Sequence, residues 1–405
     1  MLKTVSLYTG AGGLDLGLEA AGFETAIAIE SDKWAYATLR HNRPQWNPTH
    51  VDIHDISSDE IRELCKLDDQ EPALLVGGPP CQPFSKSAYW SQGDTKRLND
   101  SRADTLSAYL RVLNDLRPKA FLMENVFGIT YRGKDEAIHL LKRIINKINE
   151  EQGTQYTFSL GVINAADFGV PQIRERVFII GSREGKTFDF PFPTHRNPED
   201  EANLFLQKPW MTAWDAIGDL DSLIHDDLPV TGKWARLLPS IPEGKNYLHH
   251  TNRGDGLPLF GWRTRYWSFL LKLAKNKPSW TIQAQPGSAI GPFHWKNRRL
   301  SKRELCRLQT FPDNYEILGG RTEVQRQIGN AVPCLIGEVL GREIRKQFFG
   351  EGLSSPLKFL MERNLKPHCE ETVHSVSEEF ICLLGNHKDH PGTGKGPKAI
   401  ARTGT

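Results

Sequence analysis

The chain has 405 residues, a formal net charge of +2, 39% apolar and 25% charged residues, which is the balance of an ordinary globular protein with room for two cores. It holds no apolar run long enough for a membrane span, and its first residues enter a strand pattern at once, leaving no room for a signal peptide. Its six cysteines (Cys65, Cys81, Cys306, Cys334, Cys369, Cys382) are too scattered for a disulfide framework or a zinc site, so a reducing, cytoplasmic setting without structural metal is expected.

Strand and helix patterns alternate over the first 180 residues. Residues 4–8, 25–29, 50–53, 74–76, 120–123, 156–163 and 176–180 read as strands, and 14–21, 34–41, 103–116 and 136–151 as helices. This predicts an α/β fold with a mostly parallel sheet, helices on both faces, and a ligand site at the carboxyl ends of the strands. From 183 to 291 the alternation stops; proline, glycine, tryptophan and charge dominate, and only 267–276 looks helical. That stretch reads as a second, smaller, irregular domain inserted in a first domain of residues 1–182. Helical patterns at 300–307 and 337–348 return the chain to the first domain over 292–349, and 350–405 form a polar, partly flexible extension.

Five strands deliver conspicuous residues to one edge of the sheet. Tyr8-Thr9-Gly10-Ala11-Gly12-Gly13 follows the first, Glu30 the second, Asp52 closes the third, Cys81 follows the fourth, and Glu124-Asn125 ends the fifth. A dinucleotide fingerprint would place its third glycine at position 15, which is Asp15; the chain has Gly13 and Gly17 instead. The loop therefore suits a nucleoside without a pyrophosphate, or only close helix packing. Glu30 is placed for two ribose hydroxyls and Asp52 for an exocyclic amine. Cys81 stands between Pro80 and Pro83 just past a buried strand, on a stiffened backbone. A thiol nucleophile beside Glu124, a potential proton donor, suits attack on an electron-poor ring that is protonated as it is attacked. Arg174 and Arg176 alternate onto one face of the next strand.

Residues 233–303 carry 14 Lys and Arg against two acids, Glu243 and Asp255, together with Trp234, Trp262, Tyr266, Trp267, Trp280 and Trp295. The rest of the chain is net acidic. Basic residues interleaved with aromatics on such a background are the footprint of a surface for a phosphate backbone. Lys275 and Lys277 are among the expected phosphate contacts.

Taken in order, the motifs resemble those of the DNA (cytosine-5) methyltransferase family, of the bacterial restriction-modification type. The resemblance rests on Tyr8-x-Gly10-x-Gly12-Gly13, Pro80-Cys81-Gln82, Glu124-Asn125-Val126, Gln172-x-Arg174-x-Arg176, Arg299-Leu300-Ser301 through Phe311-Pro312-Asp313, and Gln327-Ile328-Gly329-Asn330-Ala331-Val332-Pro333. It implies a Rossmann-like S-adenosylmethionine-dependent methyltransferase sheet with a target-recognition domain at 183–291. It implies S-adenosyl-L-methionine held by Tyr8, Gly10, Gly12, Gly13, Glu30, Asp52, Ile53, Pro80, Leu106 and Asn330. By the same resemblance Cys81 adds to C6 of a flipped-out cytosine, Glu124 protonates N3, Arg176 contacts O2 and Arg174 supports it.

Extruding the base costs roughly a few kcal/mol. The segment 86–102, with Lys86, Lys96, Arg97 and Arg102, resembles the family's loop that closes over it. The expected partners are double-stranded DNA and a cognate restriction endonuclease, and the expected state is a monomer. Departures are Tyr8 where the family usually has Phe, Val51 where Gly is common, and an extension beyond Phe349 that matches nothing. The rivals are a transfer-RNA methylating relative, a non-enzymatic DNA-binding protein on the same fold, and a nicotinamide dehydrogenase. The variable region 183–291 favours a duplex reader over the first. The set Cys81, Glu124, Arg174 and Arg176 argues against the second, and the glycine spacing against the third.

Overall fold

The computed structural model describes residues 2–67, 71–80, 104–126, 136–199, 207–222 and 228–387; Cys81 and the 86–102 segment lie outside them. The chain begins β1 (Leu2–Leu7), α1 (Gly13–Ala20), β2 (Phe23–Ile29), α2 (Lys33–Asn42), β3 (Pro48–Thr49), α3 (Ser58–Leu64) and β4 (Leu74–Gly77). It continues through α4 (Asp104–Leu116), β5 (Ala120–Val126), α5 (Glu136–Gln152), β6 (Thr157–Asn164), β7 (Gln172–Ile173) and β8 (Glu175–Ser182). Seven of these strands form one sheet in the order β3-β2-β1-β4-β5-β8-β6. Only β8 runs against its neighbours, β5 and β6. Winding reverses between β1 and β4, which opens a crevice at their carboxyl ends.

The continuous apolar runs reflect burial on both faces. In β4, Leu74 and Val76 enter one core while Leu75 enters the other. Helix starts are written locally. Asp32 caps α2 by accepting the amides of Trp34 and Ala35, and Ser57 with Glu60 forms a capping box at α3.

Past β8 the chain forms β9 (His195–Arg196), β10 (Lys208–Pro209), α6 (Ala213–Ile217), β11 (Ser279–Trp280), α7 (Lys302–Leu308), α8 (Arg321–Asn330) and α9 (Cys334–Phe349). Helix α9 lies directly on α1. A Cβ on Gly17 would meet the Glu338 amide nitrogen at 2.3 Å, so the two backbones touch where only glycine permits it. Phe188, Ala213, Trp214 and Ile217 belong to the main core, whereas Leu237, Tyr247, Phe260, Phe269 and Phe293 build a separate aromatic one. No helix among the described residues is long and apolar enough to cross a membrane.

Two expected elements differ. The third strand is Pro48–Thr49, not 50–53, because the chain turns at Asp52, whose carboxylate accepts the His54 amide while its carbonyl accepts that of Asp55. Residues 267–276 are not helical. Phe269 bridges to Ile290 and Lys272 to Phe293, and Leu270 has a φ of 52°. Residues 269–275 are all buried, so they lack the one-sided burial of a surface helix. The extension from 350 to 387 is packed against the molecule, with a single short 3₁₀ turn at Glu378–Leu383.

Candidate active site

A cavity of about 360 Å³ opens at the switch point, within the usual range for a small-molecule site. The turn after β1 forms one wall. Tyr8, Gly10 and Gly12 all have positive φ, at 55°, 59° and 79°, and Gly12 caps α1 in the left-handed region. A Cβ on Gly10 would meet nothing closer than 4.0 Å, so its backbone borders open space. Gly13 is closed on its far side, where a Cβ would lie 2.2 Å from the Val332 carbonyl. Glu30 braces the turn by accepting the Gly10 amide at 2.7 Å and the Asp32 amide at 2.8 Å. Each Glu30 oxygen keeps lone-pair capacity for a ligand hydroxyl. Burial raises its pKa, against the lowering effect of these two amides.

Strands β4 and β5 form the opposite wall. They are parallel neighbours, so the Gly78-Pro79-Pro80 exit from β4 runs beside Glu124 and Asn125. Asn125 Nδ2 donates to the Pro79 carbonyl at 3.4 Å, and a Cβ on Gly78 would come within 3.0 Å of Glu124 Oε2. The antiparallel pairing of β5 with β8 sets Arg176 opposite Val126, and Arg176 Nε reaches Glu124 Oε1 at 3.0 Å. Burial pushes the Glu124 carboxyl above its usual value, opposed by the charges of Arg176 and Arg174. Arg174 is buried and donates through Nη2 to the Gly329 carbonyl at 3.0 Å. That bond ties the junction of β7 and β8 to α8, which presents Arg326, Gln327 and Asn330 to the cavity.

Six of the ten expected donor-site residues line this cavity: Tyr8, Gly10, Gly13, Glu30, Pro80 and Asn330, together with Glu124 and Arg176. Gly12 instead faces Leu39, Trp46 and Tyr315, Ile53 is in the core, and Leu106 packs against that core. Asp52 is half-exposed and paired with His54 Nδ1 at 2.6 Å. Cys81 lies outside the described residues, directly after Pro80 on the rim. The Tyr8 hydroxyl donates to the Thr105 carbonyl at 2.8 Å, and Thr105 in turn donates to the Pro80 carbonyl at 3.2 Å.

Asp15, Asp32 and Arg326 also line the cavity, with Arg326 Nη2 on Asp32 Oδ2 at 2.8 Å. In the sequence Asp15 stands out only as the residue that breaks a glycine pattern. Asp15 is fully buried, and burial raises its pKa from 3.8 to about 7. The folded state therefore binds a proton more tightly than the unfolded one, and the stability this gives is lost as pH rises from 3.8 through about 7. Asp15→Asn is expected to flatten that segment of the melting temperature against pH profile; an unchanged slope would assign the titration elsewhere.

The basic window divides into two sets. Lys233, Arg263 and Arg265 are exposed, whereas Lys272, Lys275 and Arg298 are buried. Lys275 is bonded to Glu243 and Glu371, each at 2.8 Å, and so is no phosphate contact. Lys277 is exposed and paired with Glu199 at 2.8 Å.

The sheet order, its single reversed strand and a cavity at the switch point are those of the S-adenosylmethionine-dependent methyltransferase fold. A methyltransferase encoded within an E. coli prophage has this fold, with a TM-score of 0.60 at 23% identity over 87% of this chain and 100% of its own. A family model described as C-5 cytosine-specific DNA methylase matches residues 2–346. The Type II methyltransferase M.SacI of Streptomyces achromogenes is 38% identical over 85% of this chain and 93% of its own length. M.NgoFVII of Neisseria gonorrhoeae, also named a Type II methyltransferase, is 36% identical over 82% and 83%. The chain belongs to the C-5 cytosine-specific DNA methylase family and is a DNA (cytosine-5) methyltransferase.

Proposed function

We propose that this enzyme methylates C5 of one cytosine within a short duplex DNA word, taking the methyl group from S-adenosyl-L-methionine and acting on a flipped-out base. The observation that carries the reading is the Glu124–Arg176 pair at 3.0 Å on the cavity wall, beside the Pro79-Pro80 segment that leads into Cys81. The cavity chemistry fits the donor. Glu30 lines it with lone pairs open to ribose hydroxyls, and Arg326, already paired with Asp32, is a poor pyrophosphate cradle. Tyr8, Gly10, Glu30 and Asn330 would hold the nucleoside; when bound, the donor supplies an electrophilic methyl group.

The protein's part is to make C5 a nucleophile. Cys81 thiolate forms a bond to C6 while Glu124 gives its proton to N3, so the C5–C6 double-bond pair becomes available at C5. Arg176 holds the O2 edge, and Arg174, fixed by Gly329, keeps Arg176 and Glu124 in place. After methylation the C5 proton leaves to base, the electron pair re-forms the C5–C6 double bond, the thiolate is expelled, and N3 returns its proton to Glu124. Because C5 is shielded in a stacked duplex, the base must be extruded first, at roughly a few kcal/mol.

The exposed bases of 233–303 are proposed to bind the DNA backbone, the protein to act as a monomer, and the modification to protect DNA from a cognate restriction endonuclease. The deciding test is transfer of labelled methyl from S-adenosylmethionine to unmethylated duplex DNA, with products mapped base by base. Label at C5 of cytosine in one recurring word is the expected result. Label on transfer RNA and none on DNA would overturn the substrate assignment.

A further inference from the structure

The family match ends at residue 346, yet the next forty residues are built into both halves of the molecule. Phe359 is buried in the main core, and Glu338 of α9, itself fully buried, accepts the amides of Lys358 and Phe359 at 2.8 and 3.0 Å. Further along, Trp214 Nε1 donates to the Lys366 carbonyl at 2.9 Å. The chain then reaches Lys275, whose ammonium donates to Glu243 Oε1 at 2.8 Å, to the Cys369 carbonyl at 2.7 Å and to Glu371 Oε1 at 2.8 Å. All three ammonium donors are thereby used. Finally Phe380 enters the separate aromatic core and stacks on Trp234, with ring centroids 5.7 Å apart and planes 13° apart. The same Trp234 ring lies 5.2 Å from Lys233 Nζ and 5.9 Å from Arg265 Cζ.

We propose that residues 357–383 are a strap that sets the 230–293 unit on the catalytic unit in its DNA-engaging orientation, with Phe380 and Glu371 as positioning residues. The proposal rests on the reading that this unit contacts DNA. Two features favour positioning over mere core filling. A buried ion cluster such as Lys275–Glu243–Glu371 adds little net stability, because desolvation offsets its Coulomb energy, but it accepts only one register of the strap. Phe380 also backs a ring that holds two exposed cations, so moving it moves groups placed for phosphate. The geometry leaves the methyl-donor cavity outside the strap's reach: none of its lining residues belongs to 357–383.

The test uses the full chain with Phe380→Ala, Phe380→Tyr and Glu371→Gln. KM is measured separately for duplex DNA and for S-adenosylmethionine, with hydrogen exchange followed over 230–293. Phe380→Ala is expected to raise KM for DNA by roughly ten- to a hundredfold, the scale of small misplacements at a reacting site. KM for the methyl donor should stay unchanged, protection should be lost only in 230–293, and Phe380→Tyr should restore both. Glu371→Gln, at the half-exposed end of the cluster, should shift KM for DNA in the same direction and decides the matter if Phe380→Ala does not fold. Unchanged KM for DNA in a wild-type-active background overturns the strap and leaves the proposed function standing. A parallel rise in both KM values, marking general destabilisation, also overturns it. No methyl transfer to DNA by the wild-type chain overturns the proposed function, and this proposal with it.

Discussion

Cys81→Ser is expected to abolish methylation while leaving DNA binding in place. The loss should be roughly 10⁴-fold or more, the scale seen when a nucleophile is removed from a catalytic unit. A free thiol with a pKa of about 8.5 is a few per cent thiolate at neutral pH, whereas a serine hydroxyl has essentially no alkoxide there. The flanking structure is built for placement. Pro79 is held by Asn125, Pro80 by Thr105, and Thr105 by the hydroxyl of Tyr8, so the Pro79-Pro80 segment is fixed on the cavity wall that also carries Glu124 and Arg176. Single-turnover transfer of labelled methyl, paired with gel retention of duplex DNA, separates the two quantities. Normal turnover in the serine variant would remove Cys81 from the mechanism.

Glu124→Gln should lower the methyl-transfer rate by roughly 10²- to 10⁴-fold, the range for loss of a positioned proton donor. The amide can donate a hydrogen bond to N3 but cannot deliver a proton. The pH dependence gives a second signature. Burial raises the Glu124 pKa above 4.5, with Arg176 and Arg174 opposing it, so the folded state holds the proton to higher pH than the unfolded state. Any stability from that proton is full below 4.5 and is lost as pH rises through the raised folded value. Wild-type activity should decline over the same rise as the donor empties. Glutamine, uncharged throughout, should show a lower rate without that decline. If the variant keeps the alkaline fall, another group is responsible for it.

What could be read from the chain beforehand follows physical lines. Strands buried on both faces are uninterrupted apolar runs, and Leu74-Leu75-Val76 and Ala120 to Met123 could be placed without knowing their partners. The cavity wall was legible in part because strand ends carry polar or stiffened residues at the point of exit, as Pro80 and Glu124 do. Nonlocal pairing was not legible. Residues 267–276 have helix-like composition, yet Phe269 and Lys272 are captured by Ile290 and Phe293. Composition likewise cannot separate a solvated lysine from Lys275, whose carboxylate partners lie 32 positions before it and 96 after it. Asp15 stood out in the sequence only as a break in a glycine pattern and Arg326 not at all, because their place on the cavity wall exists only when α1 and α8 are brought together.

The contact of α9 with α1 also bears on biosynthesis. Arg345 donates to the carbonyl of Ala21 across 324 positions of sequence, and Tyr315 to that of Ala11 across 304. Contacts of such separation form late, after the local ones. Strand β1 and helix α1 must therefore wait for α8 and α9, and Asn330, Ala331 and Val332 reach the cavity only then. A translation product halted before α8 lacks one side of that cavity, so methylating capacity arrives only once α8 and α9 have been made and not in proportion to length.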